Sequence, residues 1–314
     1  MTVGPESPGQ RVRRLAGIRI GRFAQDPPRP LEQLRLPAPL PLPSRPPSIL
    51  LVTPSLNQGE FVGRTIRSVL DQHYPALTYR IQDGGSTDAT HGIVRSFEGE
   101  LCLRIEPDSG QADAINRGFS PAGDAEVLAW LNADDLLLPG ALSHVAAMFD
   151  RHPEIDMLYG DRLIVDSRDR VIGRWILPDH DATLTKWIDY VPQETMFWRR
   201  RAWEAIGERL DSTLHFAMDW DLVLRMQAAG CTIRHIPRLL GAFRVHEAQK
   251  TQADYARAGK HEIRAMRERH WRGLKVPFAH VAHLRYLYQH RRADSLSREQ
   301  YGFQADPSDL QGTP

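Results

Sequence analysis

Cysteine and long apolar runs are the two features that this sequence most clearly lacks. It contains 2 cysteines among 314 residues, Cys102 and Cys231, and their separation forms no paired spacing. Neither a disulfide framework nor a zinc cluster is therefore indicated. No uninterrupted apolar stretch reaches the roughly 18 residues of a membrane-spanning helix, and the first residues lack the apolar core of a signal peptide. We expect a protein that is soluble or, at most, attached to a membrane surface.

The sequence also lacks an excess of charge of either sign. Lys and Arg number 40 and Asp and Glu number 39, which gives a formal net charge of +1. Such a balance argues against bulk binding of nucleic acid. A glycine-rich loop that carries a lysine, as in ATP-binding P-loops, is missing as well.

Composition divides the chain into three parts. Residues 1–47 are rich in Arg and Pro and cannot form a long helix, so we expect a tether or a packing arm. An ordered domain is predicted over residues 48–252. Residues 253–314 are basic and look helical, and three roles remain open for them: a solvated helical face, a packing arm, or adhesion to anionic lipid.

Strand, polar loop and helix recur four times in the first half of the domain. The apolar strand segments are 49–53, 79–82, 101–105 and 128–131. This alternation predicts an α/β fold with a mostly parallel sheet flanked by helices.

The second half of the domain has a less regular pattern. It predicts a strand at 157–159, a hairpin within 162–175, and two helices that are separated by residues 192–198. Two further strands, at 233–236 and 239–245, are predicted to follow.

Polar side chains follow each of the four predicted parallel strands. They are Asn57, Asp83, Asp108, Asp113, Asp134 and Asp135. The carboxyl ends of such strands meet at one edge of the sheet, where ligands collect in open α/β folds. One acidic pocket is therefore predicted, and a phosphorylated ligand would need a divalent cation there, Mn²⁺ or Mg²⁺. Each residue taken singly is also an ordinary turn former.

Three segments resemble the family 2 glycosyltransferases. They are residues 53–61 (TPSLNQGEF), 83–88 (DGGSTD) and 111–118 (QADAINRG), and they occur in the order seen in that family. The resemblance covers roughly residues 48–251. It implies a GT-A fold with a nucleotide-sugar-binding half (48–138) and an acceptor and catalytic half (139–252). It also implies a metal-assisted transfer with inversion at the anomeric carbon.

The same resemblance implies which residues bind the donor and the metal. The nucleotide and donor set is Pro54, Ser55, Asn57, Asp83, Gly84, Asp113, Asn116, Asn132 and Arg244. The metal set is Asp134, Asp135 and His246. Asn132 is a departure, because the first acid of the family's Asp-x-Asp motif is replaced by an uncharged amide.

A catalytic base is implied by residues 218–222 (MDWDL), in which Asp219 matches the family's general base. Asp221 has the alternative of pairing with Arg225 one helical turn away. Gln193 and Glu194 are predicted to border the acceptor pocket.

The resemblance therefore implies an inverting glycosyltransferase that moves a sugar from a nucleotide-diphospho-sugar to a glycan or lipid-linked acceptor. The expected setting is polysaccharide, lipopolysaccharide or glycolipid assembly in the cytoplasm, and contact with the inner membrane is one of the three roles that remain open for the basic C-terminal region. A transferase homologue that binds without turnover, or a sugar-phosphate nucleotidyltransferase, are the alternatives.

Overall fold

The computed structural model describes residues 18–246, 259–270 and 276–303, and predictions for residues outside these ranges are not addressed by it. The strands are β1 (Ile49–Ser55), β2 (Leu77–Asp83), β3 (Cys102–Ile105), β4 (Val127–Trp130), β5 (Leu136–Leu137), β6 (Met157–Asp166), β7 (Val171–Trp175), β8 (Phe197–Arg199) and β9 (Ile233–Val245). The helices are α1 (Val62–Leu70), α2 (Thr90–Arg95), α3 (Gln111–Phe119), α4 (Ala141–Arg151), α5 (Ala182–Thr185), α6 (Arg200–Ala205), α7 (Met218–Ala228), α8 (Lys260–His270) and α9 (Val276–Tyr301).

One nine-stranded sheet forms the centre of the domain, in the order β3-β2-β1-β4-β8-β6-β9-β5, with β7 paired to β6. Strands β3, β2, β1 and β4 are parallel, as predicted. Every residue of β1 and β4 is buried, which explains why these segments are uninterrupted apolar runs rather than alternating ones. Their carboxyl ends lie at one edge, so the polar loops that follow them come together there.

Helix α3 packs closely on β1 because Gly118 has no side chain. A Cβ atom at this position would overlap the side chain of Val52, which is fully buried. The helix can therefore lie against the strand at a distance that any larger residue would prevent. This close contact places the start of α3 beside the carboxyl edge of the sheet.

The second half of the sheet mixes strand directions. Strand β8 is antiparallel to both β4 and β6, whereas β6 and β9 are parallel. The predicted hairpin is confirmed as β6 and β7. Residues 192–198 were predicted only to separate two helices, and this was incomplete, since Phe197–Arg199 form β8 at the centre of the sheet.

Strand β9 corrects a second prediction. The expected pair of strands at 233–236 and 239–245 is one continuous strand, Ile233–Val245. Its pairing with β6 shifts between His235 and Leu239, which lie opposite Tyr159 and Asp161. Pro237 falls within this irregular stretch, where its missing N–H costs no ladder hydrogen bond.

The described part of the N-terminal arm lies against β7 and α9. The Gln25 amide donates to the Ile172 carbonyl at 2.8 Å, and Arg29 pairs with Val171 as an isolated antiparallel bridge. The guanidinium of Arg174 forms hydrogen bonds of 2.7 and 2.9 Å to the carboxylate of Asp294 on α9, and both side chains are 1% exposed. The arm, the hairpin and the last helix therefore pack as one unit.

Among the described residues, none of the helices has the length and hydrophobicity that crossing a bilayer requires.

Candidate active site

A cavity of about 480 Å³ opens at the carboxyl edge of β1 and β4. This volume lies in the range of about 300–1,000 Å³ that is usual for small-molecule sites. Both halves of the domain contribute to its walls. The predicted site residues that line it are Pro54, Ser55, Asn132, Asp134, Asp135, Gln193, Glu194 and Asp219.

The other predicted site residues do not line this cavity. They are Asn57, Asp83, Gly84, Asp113, Asn116, Arg244 and His246. Their contacts show what each of them does in this structure instead.

Asn57 and Asp83 hold two neighbouring loops together. The Asn57 backbone has a φ of 53°, and its Oδ1 accepts the Thr87 amide at 2.9 Å. The Asp83 carboxylate accepts hydrogen bonds from the Gly85 and Ser86 amides and from the Ser86 hydroxyl, at 2.7 to 2.9 Å. Burial alone would raise the pKa of Asp83, but these hydrogen bonds hold it below its ordinary value. Asp83 is therefore ionised, and its hydrogen bonds stabilise the loop.

Gly84 allows Asp108 to reach the cavity. A Cβ atom at position 84 would lie 2.5 Å from Asp108 Oδ2, and Asp108 lines the cavity. Glycine is needed here for the close approach of Asp108, and the predicted contact of Gly84 with the donor stays a prediction.

Asp113 and Asn116 lie on α3 and bind protein groups. Asp113 accepts the Ser109 amide at 2.9 Å and forms an ion pair with Arg117. Asn116 exchanges two hydrogen bonds with the backbone of Leu210, at 2.8 and 3.1 Å. Asn116 thus joins α3 to the loop before α7, which belongs to the other half of the domain.

The turn after β4 is tied down at several points. The hydroxyl of Thr65 donates within 2.8 Å of the carbonyls of Ala133 and Asp135. Asn132 accepts from Gln111 Nε2 at 2.7 Å and donates to Asp135 at 3.3 Å. The amide that replaces an acid at position 132 is therefore part of a hydrogen-bonded chain, a role that requires both a donor and an acceptor.

The side chains of Asp134 and His246 are the pair of ligand groups best suited to bind a divalent cation. His246 Nε2 lies 2.9 Å from Asp134 Oδ2, and the Asp134 side chain keeps 17% of its surface exposed at the cavity. A separation of 2.9 Å suits a hydrogen bond, and it also suits two adjacent ligands of an octahedral ion at about 2.1 Å. Two protein ligands would leave the remaining positions to water and to phosphate oxygens.

Asp135 is less suited to hold a cation in this arrangement. Its side chain is buried, and Oδ1 accepts the Arg244 amide at 3.0 Å. Burial, and next the charges of Asp134 and Glu194, raise the pKa of Asp135 well above its ordinary value. No group of three or more His, Cys, Asp or Glu side chains within the described ranges is arranged as a metal site.

Arg244 lies fully buried behind the carboxylates. Its Nε donates to Asp169 at 2.7 Å, and another guanidinium nitrogen donates to the carbonyl of Asp134. Its guanidinium carbon also lies 5.0 Å from the centre of the Phe61 ring. Arg244 therefore orients the Asp134 backbone.

Asp219 faces the cavity from the first turn of α7. Its enclosure by the cavity walls raises its pKa to about 6, and the charge of Glu194 acts in the same direction. A carboxylate with this pKa is ionised at neutral pH and is more basic than an ordinary aspartate. Asp221, two residues later, is buried and pairs with Arg225 Nε at 2.7 Å, which confirms the alternative reading of that residue.

The structure adds two charged residues, Arg162 and Asp189, that the sequence patterns did not single out. Arg162 forms a doubly hydrogen-bonded pair with Glu194, and Asp189 faces the same cavity. Asp189 keeps contact with solvent, yet the surrounding protein and then the charge of Asp219 raise its pKa well above its ordinary value. No spacing in the sequence marks Asp189 or Arg162, because a hairpin and an irregular loop bring them to Asp219.

Three cavity-lining polar atoms are buried without a hydrogen-bond partner among the residues that the structure describes: Ser55 Oγ, Trp130 Nε1 and Gln193 Oε1. Buried polar groups are normally paired, so atoms like these indicate a place where a ligand or water completes the bonding. They include a donor, an acceptor and a hydroxyl that can act as either.

Comparison with known proteins was made for the sequence and for the fold. An O-antigen biosynthesis protein, RfbC, from Myxococcus xanthus is 33% identical over 62% of the chain, which spans 15% of that protein. A PGL/p-HBAD biosynthesis glycosyltransferase from Mycobacterium bovis (strain BCG / Pasteur 1173P2) is 30% identical over 57% of the chain and 69% of its own length.

Two solved structures share the fold. TarS from S. aureus (residues 1–349, in complex with UDP-GlcNAc) superposes with a TM-score of 0.54 and 17% identity, over 64% of this chain and 60% of its own. The mannosyltransferase PcManGT from Pyrobaculum calidifontis, in complex with GDP-Man and Mn²⁺, superposes with a TM-score of 0.53 and 17% identity. The superposition covers 87% of this chain and 80% of the mannosyltransferase. Both are glycosyltransferases, and the predicted GT-A fold class is confirmed.

The family comparison covers the donor half and continues through the start of α7. Residues 50–218 match the family model described as glycosyl transferase family 2, and these residues are more than half of the chain. The chain therefore belongs to glycosyl transferase family 2.

Proposed function

We propose that this protein transfers a sugar from a nucleotide-diphospho-sugar to an acceptor hydroxyl, with inversion at the anomeric carbon. The observation that carries the proposal is that Asp134 and Asp219, from different halves of the domain, line one cavity in different electrostatic settings. Asp134 pairs with His246, whereas Asp219 has a pKa of about 6. The nucleotide-sugar and Mn²⁺ in the structures of its glycosyltransferase neighbours support the same assignment.

The reaction needs one proton acceptor and no enzyme nucleophile. Asp219 takes the proton of the acceptor hydroxyl while the oxygen of that hydroxyl bonds to the anomeric carbon. The bond from that carbon to the diphosphate oxygen breaks, and the nucleoside diphosphate leaves with the electron pair. A divalent cation, Mn²⁺ or Mg²⁺, held by Asp134 and His246 would neutralise the charge on the diphosphate. The raised pKa of Asp219 makes it a stronger base than a solvated aspartate.

The donor is held at the edge formed by β1 and β4. Pro54, Ser55 and Asn132 line the cavity there, and Asn57, Asp83, Asp113 and Asn116 fix the loops around it. Ser55 Oγ, which has no protein partner, is available to a nucleotide or sugar oxygen. Arg244 supports the site through the Asp134 backbone rather than through contact with the diphosphate.

Calorimetric titration with UDP, GDP and TDP, each with Mn²⁺ and then with EDTA, tests the proposal. We expect one nucleotide to bind only with Mn²⁺. The Asp134→Asn variant should lose this binding by about 10- to 100-fold, the usual scale for metal-site changes. Asp150→Asn is the matched control, because it also removes one carboxylate but from an exposed position on α4 that does not line the cavity, and its affinity should stay within about twofold.

Two results would contradict the mechanism in different ways. Binding that EDTA does not affect would remove the cation from the reaction. Binding without any sustained release of nucleoside diphosphate would favour a homologue that binds but does not turn over, for which the uncharged Asn132 gives a reason. Membership of family 2 weighs against the nucleotidyltransferase alternative.

We further propose that a glycan or lipid-linked acceptor is used in cell-envelope assembly, on the cytoplasmic face of the inner membrane. The names of the relatives, O-antigen and PGL/p-HBAD biosynthesis, support this setting. On α9, Val281, Leu284 and Tyr288 are at least 65% exposed and lie at helical spacing on one face. Arg285 and Arg292 are exposed beside them, and this combination suits an anionic lipid surface.

Sedimentation with vesicles tests the membrane contact. The Leu284→Glu variant should lose binding to vesicles that contain anionic lipid, whereas Leu42→Glu, on the exposed part of the arm, should not. Equal sedimentation of both variants and the unaltered protein would end this part of the proposal.

A further inference from the structure

Part of the cavity wall comes from outside the segment that matches the family. Phe23, on the N-terminal arm, and Phe243, on β9, line the cavity together with Trp175 on β7. The ring of Phe23 lies 5.5 Å from the rings of both Trp175 and Phe243, centre to centre. These three residues are called the aromatic wall below. Family 2 membership does not account for Phe23 and Phe243, because the matched residues are 50–218 and only Trp175 lies among them.

The aromatic wall lies beside the proposed base. The guanidinium of Arg162 is 4.8 Å from the ring centre of Trp175 and 4.6 Å from that of Phe243. The same guanidinium pairs with Glu194, and both of these charges act on Asp219. A group that contacts the wall is therefore near Asp219, where an acceptor must present its hydroxyl.

The arm that carries Phe23 is held in place by hydrogen bonds. Trp175 Nε1 donates to the carbonyl of Arg22 at 3.0 Å, directly before Phe23 in the chain. Gln25 is bonded to β7 through its amide, and its Oε1 accepts the amide of Arg174 at 3.1 Å. Phe23 and Phe243 are both half-buried, so each keeps part of its surface open to the cavity. The wall is thus formed in advance of any ligand.

Two of the three unpartnered atoms that line this cavity belong to Gln193 and Trp130. Gln193 donates through Nε2 to the Trp130 carbonyl at 2.9 Å, which leaves its Oε1 as a buried acceptor, while Trp130 Nε1 is a buried donor. A sugar hydroxyl can satisfy either atom, since it both donates and accepts. A pyranose ring also has an apolar face of C–H groups that packs on aromatic rings, whereas an alkyl chain could satisfy neither polar atom.

We propose that the N-terminal arm completes the acceptor site: the half-buried rings of Phe23 and Phe243, supported from behind by the buried ring of Trp175, pack against a pyranose ring of a saccharide acceptor, and Gln193 and Trp130 bind its hydroxyls. The inference rests on the proposed function only in that it identifies the bound saccharide as the acceptor of the transfer. The wall itself, as a sugar-binding surface, can be tested without turnover.

The test measures direct binding of methyl glycosides by saturation-transfer NMR, with UDP and Mn²⁺ present. The probes are methyl glucoside, galactoside, mannoside and N-acetylglucosaminide, and decanol serves as the apolar probe. Phe23→Ala should weaken the preferred glycoside by about tenfold, the scale of one lost aromatic contact. Phe23→Tyr should retain binding, because it keeps the ring. Phe23→Leu should resemble Phe23→Ala, because it keeps apolar volume but not a flat face.

Leu42→Ala is the matched control, since Leu42 is an arm residue that is 41% exposed and does not line the cavity. It should bind glycoside as the unaltered protein does. UDP affinity and thermal unfolding of all variants show whether the fold and the donor end are intact, and we expect UDP affinity to be unchanged.

Each outcome decides the proposal. Equal glycoside affinity of Phe23→Ala and the unaltered protein overturns it, as does restored binding in Phe23→Leu, which would show that Phe23 only packs the arm. Binding of decanol but of no glycoside overturns the saccharide class. Glycoside binding that depends on Phe23 in a protein that transfers no sugar supports the wall and refutes the proposed function.

Discussion

Two pairs of aspartates, one pair in each half of the domain, have opposite surroundings. In the donor half, the carboxylates of the buried Asp83 and the exposed Asp88 accept several hydrogen bonds from backbone amides and hydroxyls, and the pKa of each is lowered. In the acceptor half, Asp189 and Asp219 face the cavity, and the pKa of each is raised. The same type of side chain fixes a loop in one half and, as Asp219, is the proposed proton acceptor in the other, and the surroundings decide which.

Removal of the proposed base should have the largest effect, and it tests directly whether Asp219 differs in role from the aspartates of the donor half. Asp219→Asn preserves shape but cannot accept the proton, so transfer should fall by about 10²- to 10⁴-fold. UDP affinity measured by calorimetry should remain, because the donor half is unchanged. Retention of full transfer by Asp219→Asn would rule out its assignment as base.

The dependence of transfer on pH tests the same difference without a mutation. Because Asp219 must be ionised, the rate should rise with pH, level off above about 6, and fall about tenfold per unit below it. Initial rates with saturating substrates measure this. A profile that is flat down to pH 4.5 would mean that Asp219 is not the titrating group.

The same shift has a consequence for stability. The pKa of Asp219 is higher in the folded protein than its ordinary value of 3.8, so the folded state favours the protonated form. This contribution is present below that value and is lost as the pH rises through about 6. Thermal unfolding at pH 8 should therefore give Asp219→Asn an equal or higher midpoint than the unaltered protein, and a clearly lower midpoint would contradict the assignment.

The smallest expected effect sharpens the view of the donor half as a close-packed scaffold. Gly118→Ala forces a methyl group against Val52 and should lower the free energy of unfolding by about 1–3 kcal/mol. Gly92→Ala, on α2, has open space and should raise it by about 0.5–1 kcal/mol. Denaturant unfolding measures both. Equal effects of the two would mean that α3 is not held tightly on β1.

The parallel half of the fold could be predicted from the sequence because its signals are local. Apolar strand segments alternate with loops and amphipathic helices, and Asn132, Asp134 and Asp135 follow β4 directly.

The acceptor half could not be predicted to the same extent, because its contacts are distant in the sequence. The bulge at Pro237 depends on the partner strand, and Arg162 meets Glu194 only after β6 and the loop before β8 have been placed. Phe23 lies in a segment whose composition indicates only extended chain, so nothing local places it beside Trp175 and Phe243, which are more than a hundred residues away in the sequence. Likewise, local sequence does not distinguish a ligand-binding Asp83 from one that fixes its own loop.

The buried pair of Arg174 and Asp294 limits how this chain could be recombined with its relatives. Arg19 on the arm also reaches Asp294, at 3.4 Å, so three segments that are far apart in the sequence share one water-excluded ionic contact. Loss of α9 would leave the buried guanidinium of Arg174 without the carboxylate to which it is hydrogen-bonded, at a cost of about 3–5 kcal/mol. Loss of the arm would remove Arg19 from the same contact. A chimera that exchanges the acceptor half between relatives must therefore take the arm, the hairpin and the last helix from the same parent protein.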